Sequence, residues 1–129
     1  MSTLNQVLKH KRKLKKRRSK SPSLGKNPQK KGVCVKVYTT SPKKPNSAVR
    51  KVAKIRLSTG RKVIVGIPGQ GHNVKVNTPV MIRGGRINDV PGVRYKIIRG
   101  KLGVNILENF TRVQKRSKYN LPRDNKLHY

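Results

Sequence analysis

Between Gly32 and Arg99 the chain repeatedly alternates apolar and polar side chains, the period that turns one face of a strand inward and the other to solvent. The first run, Gly32–Thr40, carries Val33, Val35 and Val37 on one face and Lys36 on the other. The second, Val49–Leu57, sets Ala53, Ile55 and Leu57 inward against outward Lys54 and Arg56. Ser58-Thr59-Gly60 closes a hairpin, its glycine free to adopt positive φ. Lys62–Ile67 returns with Val63, Val65 and Ile67 inward. Pro79–Arg83 is a short fourth strand ended by Gly84-Gly85, and Val93–Arg99 is a fifth. The pattern predicts an antiparallel, half-buried sheet.

Outside this stretch the alternation stops, which divides the chain into three parts. Residues 1–32 form a basic arm, 33–102 the β region and 103–129 a basic tail. Thr3 is placed to cap a short helix, with Gln6 three residues on as in a capping box. The run Lys11, Arg12, Lys13, Leu14, Lys15, Lys16, Arg17, Arg18 then sets like charges side by side, which disfavours a helix. Ser21-Pro22-Ser23-Leu24-Gly25 and Asn27-Pro28 interrupt it further, so the arm left free in water is expected to be disordered. The tail, with Arg112, Lys115, Arg116, Lys118, Arg123 and Lys126, has no sustained period and reads as a second extension. Five short strands suit an all-β fold, a five-stranded barrel of the oligonucleotide/oligosaccharide-binding (OB-fold) type, whose loops meet nucleic acid.

Charge names the class of partner. The chain has 129 residues, with Lys+Arg 34 against Asp+Glu 3, a formal net charge of +31. Such a protein repels itself unless a dense polyanion neutralises it, and nucleic acid does so with release of counterions. A membrane surface calls for an amphipathic helix with large apolar residues; here aromatics are 4%, Trp is absent and no long apolar stretch exists. With hydrophobic residues at 33%, a small barrel with extended arms fits better than one large core.

Composition also argues against enzymatic chemistry. The acids are Asp89, Glu108 and Asp124, and the histidines His10, His72 and His128 lie far apart, with no zinc-ligand spacing. The single cysteine, Cys34, excludes an internal disulfide and reads as an inert thiol in a strand. Nothing local assembles a nucleophile and base around His72. Gly69-Gln70-Gly71 begins a dinucleotide fingerprint but lacks the third glycine and a following helix. Asn109-Phe110-Thr111 matches a glycosylation sequon, a frequent chance match, and no secretory leader is expected. The basic run also matches a nuclear-localisation cluster, but the charge excess continues far beyond it. No cofactor and no metal are expected.

Two loops stand apart from the basic background. In the first, Pro42 and Pro45 restrict the backbone around Lys43 and Lys44, and Asn46, Ser47 and Ala48 follow. Asn46 and Ser47 present an amide and a hydroxyl, and the lysines supply charge for phosphate oxygens. An ordinary turn would use the same residue types. The second runs from Gly84 to Tyr95 and holds Asn88, Asp89, Pro91 and Gly92. Its paired glycines allow close approach of another chain. Asp89 among so many bases reads first as the partner of a neighbouring arginine.

At this point the residues resemble a known family. Pro28-Gln29-Lys30-Lys31-Gly32-Val33-Cys34, Val37-Tyr38-Thr39-Thr40, Pro42 to Val52, Gly69-Gln70-Gly71-His72-Asn73, Ile82 to Arg86, Asp89 to Tyr95 and Arg112 to Tyr119 are similar, in order, to the small-subunit ribosomal protein twelve family in its bacterial and organellar form. The resemblance implies an OB-fold barrel in the small ribosomal subunit, with the N-terminal extension threaded into ribosomal RNA on Lys11, Arg12, Lys13, Lys15, Lys16, Arg17 and Arg18. It implies that Pro45, Asn46 and Ser47 contact RNA bases that inspect the codon–anticodon helix, that Lys43 and Lys44 grip phosphates, and that Asp89 and Pro91 buttress the same decoding centre. Gln70, His72 and Asn73 would face A-site tRNA and elongation factors, although a locally hydrogen-bonded loop residue explains His72 equally. The implied function is structural, with support of accurate tRNA selection; the implied partners are small-subunit rRNA, tRNA, elongation factors and neighbouring ribosomal proteins.

Three positions depart from the bacterial pattern. Asn88 replaces a usual lysine, Gln70 a usual glutamate and Val49 a usual leucine. These drifts, and a tail ending Leu127-His128-Tyr129, point to a mitochondrial ribosome and an organelle-encoded chain that opens near the bacterial start without a transit peptide; a plastid or bacterial cytoplasm is the alternative. Two other classes are distinguishable. A free RNA chaperone needs surface aromatics for base stacking, and a histone-like DNA compactor needs the arms but not the proline-bounded loops.

Overall fold

The longest strand, β1 (Gln29–Thr40), organises the molecule because it pairs on both edges. Its second half runs antiparallel to β2 (Arg50–Leu57) and its first half to β4 (Pro79–Gly84). With β3 (Lys62–Gly66) and β5 (Tyr95–Ile97), these strands close a barrel in the order β1-β2-β3-β5-β4. The computed structural model describes residues 1–104 and 114–121. The five-stranded barrel read from the alternation is therefore the observed architecture, consistent with an OB-fold.

The core is the inward face of that alternation. Ala53, Ile55 and Leu57 of β2, Val65 of β3, Val80 and Ile82 of β4, and Tyr95 and Ile97 of β5 are all buried. Each fully buried Val or Ile contributes roughly 1.5–3 kcal/mol relative to leaving it exposed. The β2–β3 turn has Gly60 at φ +90°, as the hairpin required. Gly32 lets β1 and β2 approach closely: a Cβ there would lie 2.8 Å from the Arg56 carbonyl oxygen and 2.6 Å from Ile55 Cγ2.

Four details differ from the sequence expectation. The sheet is not antiparallel throughout, since β3 and β5 pair in parallel through Val65 and Tyr95. A ring of five strands has an odd number of members, so up–down alternation cannot run all the way round and one parallel pair is forced. In β1 the inward residue is Cys34, fully buried, while Val35 is 39% exposed. The register passes from Cys34 opposite Ile55 to Lys36 opposite Lys54, so Val35 is the extra residue of a bulge. The bulge shifts the phase of the strand, and Val37 returns to pack on the core. Burial raises the Cys34 thiol pKa, partly offset by a backbone hydrogen bond from Lys36.

The fifth strand spans only Tyr95–Ile97, although Arg99 continues its inward face. The ordered barrel also reaches upstream of residue 33. A 3₁₀ turn at Pro22–Leu24 buries Leu24 in the core, and the Ser23 amide donates to the Tyr95 hydroxyl at 2.9 Å. Further upstream, α1 (Leu4–Lys9) carries the expected capping box: the Gln6 amide donates to Thr3 Oγ1 at 3.3 Å, and the Thr3 amide to Gln6 Oε1 at 3.0 Å. Residues 11–19 have no regular structure and are exposed throughout.

Candidate nucleic-acid interface

The first loop leaves β1 at Thr40 and enters β2 at Arg50. Its tip turns on a hydrogen bond from the Asn46 amide to the Lys43 carbonyl, 3.1 Å. Lys43, Lys44, Pro45, Asn46 and Ser47 are all exposed, and Ala48 is half-buried. Charge, amide and hydroxyl are thus all solvent-accessible on one short segment.

The second loop joins β4 to β5 and folds back over the outside of the barrel. Bonds from the Gly85 amide to the Arg94 carbonyl and from the Ile87 amide to the Val93 carbonyl, each 3.2 Å, extend the hairpin outward. Val90 and Val93 then bury against Val52, with Tyr38 and Ile87 packed alongside. Val52 lies on the outward face of β2, where alternation alone places a solvent-facing residue; the loop supplies the cover. This second small core holds Asn88, Pro91 and Gly92 exposed at the tip and Asp89 half-buried.

The two loops are tied to each other. Arg50 Nη2 donates to Asp89 Oδ2 at 2.7 Å, and the Lys43 amide donates to the Asp89 carbonyl at 2.8 Å. Asp89 is the arginine partner that its isolation in the sequence suggested. Beside this junction lies a cleft of about 510 Å³. Asn46 and Arg50 of the first loop, Arg86, Asn88 and Asp89 of the second, and Lys96, Lys118 and Tyr119 all line it. Its four cations face one carboxylate already bonded to Arg50, so the cleft is an electropositive recess suited to phosphate oxygens.

A third loop, from Ile67 to Asn73, carries Gln70 and Asn73 exposed and His72 half-buried. These three do not line the cleft; the loop's base, Pro68 and Gly69, does. His72 Nδ1 accepts from the Val74 amide at 3.2 Å, and Asn73 Nδ2 donates to the Gly103 carbonyl at 3.4 Å. Reading from sequence missed Arg86, Lys96 and Lys118 because nothing distinguishes them from the other bases of the chain. It also missed Arg99, whose buried guanidinium donates to the carbonyls of Pro68 and Gly71. The signal was available: Arg99 falls on the inward parity of the fifth run.

Lys11, Arg12, Lys13, Lys15, Lys16, Arg17 and Arg18 are exposed in the arm. Glu108, the sequon at Asn109, Arg112, Arg123, Asp124, Lys126 and His128 lie outside the described residues. Among the described residues, no three His, Cys, Asp or Glu side chains converge as metal ligands would, and no helix is long and apolar enough to cross a membrane.

A basic OB-type barrel with two joined loops narrows the class, and the family comparison decides it. Residues 17–124 match the family model of ribosomal protein S12/S23. The chain belongs to the ribosomal protein S12/S23 family. The match takes in the barrel, all three loops and much of both basic extensions. Membership makes the protein a structural, non-enzymatic component of the small ribosomal subunit, associated with ribosomal RNA and other ribosomal proteins. The +31 charge then has its physical explanation: it is neutralised by the phosphates of the particle.

Proposed function

We propose that this S12/S23 protein stands at the decoding centre of its small subunit and supports accurate tRNA selection. The observation that carries the reading is the junction of the two loops through Arg50, Asp89 and Lys43, which makes one connected surface of Lys43, Lys44, Pro45, Asn46, Ser47, Asn88 and Pro91. A surface that serves every codon must judge shape, not sequence. Fixed polar groups directed at phosphates and 2′-hydroxyls meet that need in A-form RNA. In this reading Lys43 and Lys44 hold phosphates, Asn46 and Ser47 reach RNA base or ribose edges, and the Asp89 loop braces them. The loop with Gln70, His72 and Asn73 faces A-site tRNA and elongation factors.

The same proposal gives the three segments their roles: a basic arm upstream of the Pro22–Leu24 turn threaded into ribosomal RNA, the barrel that begins with β1 at Gln29, and a tail at 103–129 laid on RNA. It takes the protein as a bacterial or organellar type, from a mitochondrial ribosome. The departures Asn88 and Gln70 support that assignment. Small subunits carrying Asn46→Ala, compared with wild type for near-cognate misincorporation, test the decoding role. A several-fold change in error frequency is expected; an unchanged error frequency with normal assembly overturns it. Co-sedimentation with small subunits at moderate salt, and sequencing of the accompanying ribosomal RNA, tests the compartment and excludes a DNA compactor.

A further inference from the structure

The loop from Ile67 to Asn73 has little backbone pairing of its own. Its base is fixed by the Ile67 amide donating to the Lys51 carbonyl at 3.1 Å, and its far end by Asn73 on Gly103. Between these points Gly69 and Gly71 sit at φ +89° and +63°, flanking the exposed Gln70. Both glycines are in the left-handed region and permit several chain paths. What selects one path is beneath the loop. Arg99 follows Tyr95 and Ile97 on the inward parity of β5, at the end of the barrel where the loop passes over. Only 1% of it is exposed, and it is among the largest fully buried side chains among the described residues.

A guanidinium cannot shed its charge, so its burial is tolerated only when it is hydrogen-bonded. The loop answers with two carbonyls, Pro68 at 2.9 Å and Gly71, both reached by Arg99 Nη1. They lie on either side of Gln70. The same residue is engaged from the tail: Asn120 Nδ2 donates to the Arg99 carbonyl at 2.8 Å, and neighbouring Tyr119 is buried at 8% exposure. The tail segment that carries them is held by a bond from the Leu121 amide to the Arg116 carbonyl, 2.9 Å. Loop, barrel end and tail thus meet at a single residue.

We propose that Arg99 is the positioning residue of the Gln70–His72–Asn73 loop, and that the tail, through Asn120, holds Arg99 in the geometry that does this. The inference rests on the reading of this loop as a tRNA- and factor-facing surface. A lysine at 99 keeps the charge but replaces the planar guanidinium, whose Nη1 hydrogens have fixed directions toward the two carbonyls, with a shorter, freely rotating ammonium. Loss of the Asn120 amide removes the tail's hydrogen bond to the Arg99 backbone carbonyl. Either change leaves the first and second loops joined through Arg50 and Asp89.

The test uses complete small subunits reconstituted with the full chain and a nitroxide at position 70, introduced as Gln70→Cys. Cys34 is fully buried and does not compete for the label. A second preparation carries the label at Thr59→Cys, in the β2–β3 turn, as a control. Arg99→Lys and Asn120→Ala are each expected to shift the position 70 label from restricted to fast motion and leave position 59 unchanged. Unchanged motion at 70 in Arg99→Lys, or equal loosening at both positions, overturns the role of Arg99. Unchanged motion in Asn120→Ala overturns that of the tail. Should Arg99→Lys fail to enter subunits, Arg99→Gln, which buries no charge and is too short to reach both carbonyls, replaces it in the same comparison with the same outcomes. Factor-dependent tRNA delivery, measured on unlabelled variants, separates the two readings. A loosened loop with undiminished delivery sustains the positioning role of Arg99 and overturns only the tRNA-facing reading. Slowed delivery with a tight loop overturns the positioning role.

Discussion

Arg50 and Asp89, 39 residues apart in sequence, join through a 2.7 Å hydrogen-bonded ion pair that locks the first loop to the second. Arg50 opens β2 and Asp89 stands on the β4–β5 hairpin, so the pair couples two elements that share no strand pairing. Arg50 is 44% exposed, and an ion pair in that setting stabilises a fold by only about 0–1 kcal/mol. Its importance lies in alignment.

Arg50→Gln is therefore expected to lower the unfolding free energy of the free protein by less than about 1 kcal/mol. In small subunits it should change near-cognate misreading by roughly fivefold or more, the lower range of coupling between sites. Denaturant unfolding and misincorporation assays read the two effects. A large loss of stability with unchanged fidelity would show the pair to be a structural brace alone.

The second small core makes a contrasting prediction. Val52→Ala should destabilise by about 1–3 kcal/mol because the side chain is fully buried beneath Val90 and Val93. Val35→Ala, at the exposed bulge, should stay within about 0.5 kcal/mol. Urea midpoints of the two variants distinguish this arrangement from simple alternation, which predicts the reverse order.

Cys34 should resist alkylation in the native protein and react on unfolding. Its folded-state pKa is raised by burial above the ordinary value of an unfolded thiol. Below that pH the thiol is protonated in both states and contributes nothing to the pH dependence. As pH rises past the unfolded pKa, the unfolded chain ionises first and stability falls until the folded pKa is reached. Comparing urea midpoints at neutral and alkaline pH, wild type should lose more stability than Cys34→Ala. Equal losses would remove Cys34 as the cause.

Asn88→Lys places a cation at the exposed tip of the second loop, on the lining of the cleft. Added phosphate attraction should shift misreading of near-cognate codons and steepen the salt dependence of subunit association by about one phosphate contact. The same error frequency across near-cognate codons would make position 88 neutral for decoding.

Much of the barrel was legible along the chain because a half-buried strand imposes period two on its own residues. Ala53, Ile55 and Leu57, and likewise Val65 and Ile67, report their face without reference to any partner. The capping box at Thr3 and the turn at Gly60 are equally local. The loops that stand out as candidates do so by residue type and by family resemblance, and their exposure follows from their position between strands.

What only the tertiary structure decided involves residues whose environment comes from distant segments. Whether Val33 or Cys34 faced inward depended on a bulge against β2. Val52 is buried because a loop that begins some thirty residues later covers it. The parallel β3–β5 pair follows from closing an odd number of strands into a ring. Arg50 and Arg99 were two bases among 34 until folding placed one against Asp89 and the other beneath two loop carbonyls. Periodicity records which face a residue wants; only closure of the chain determines what it meets there.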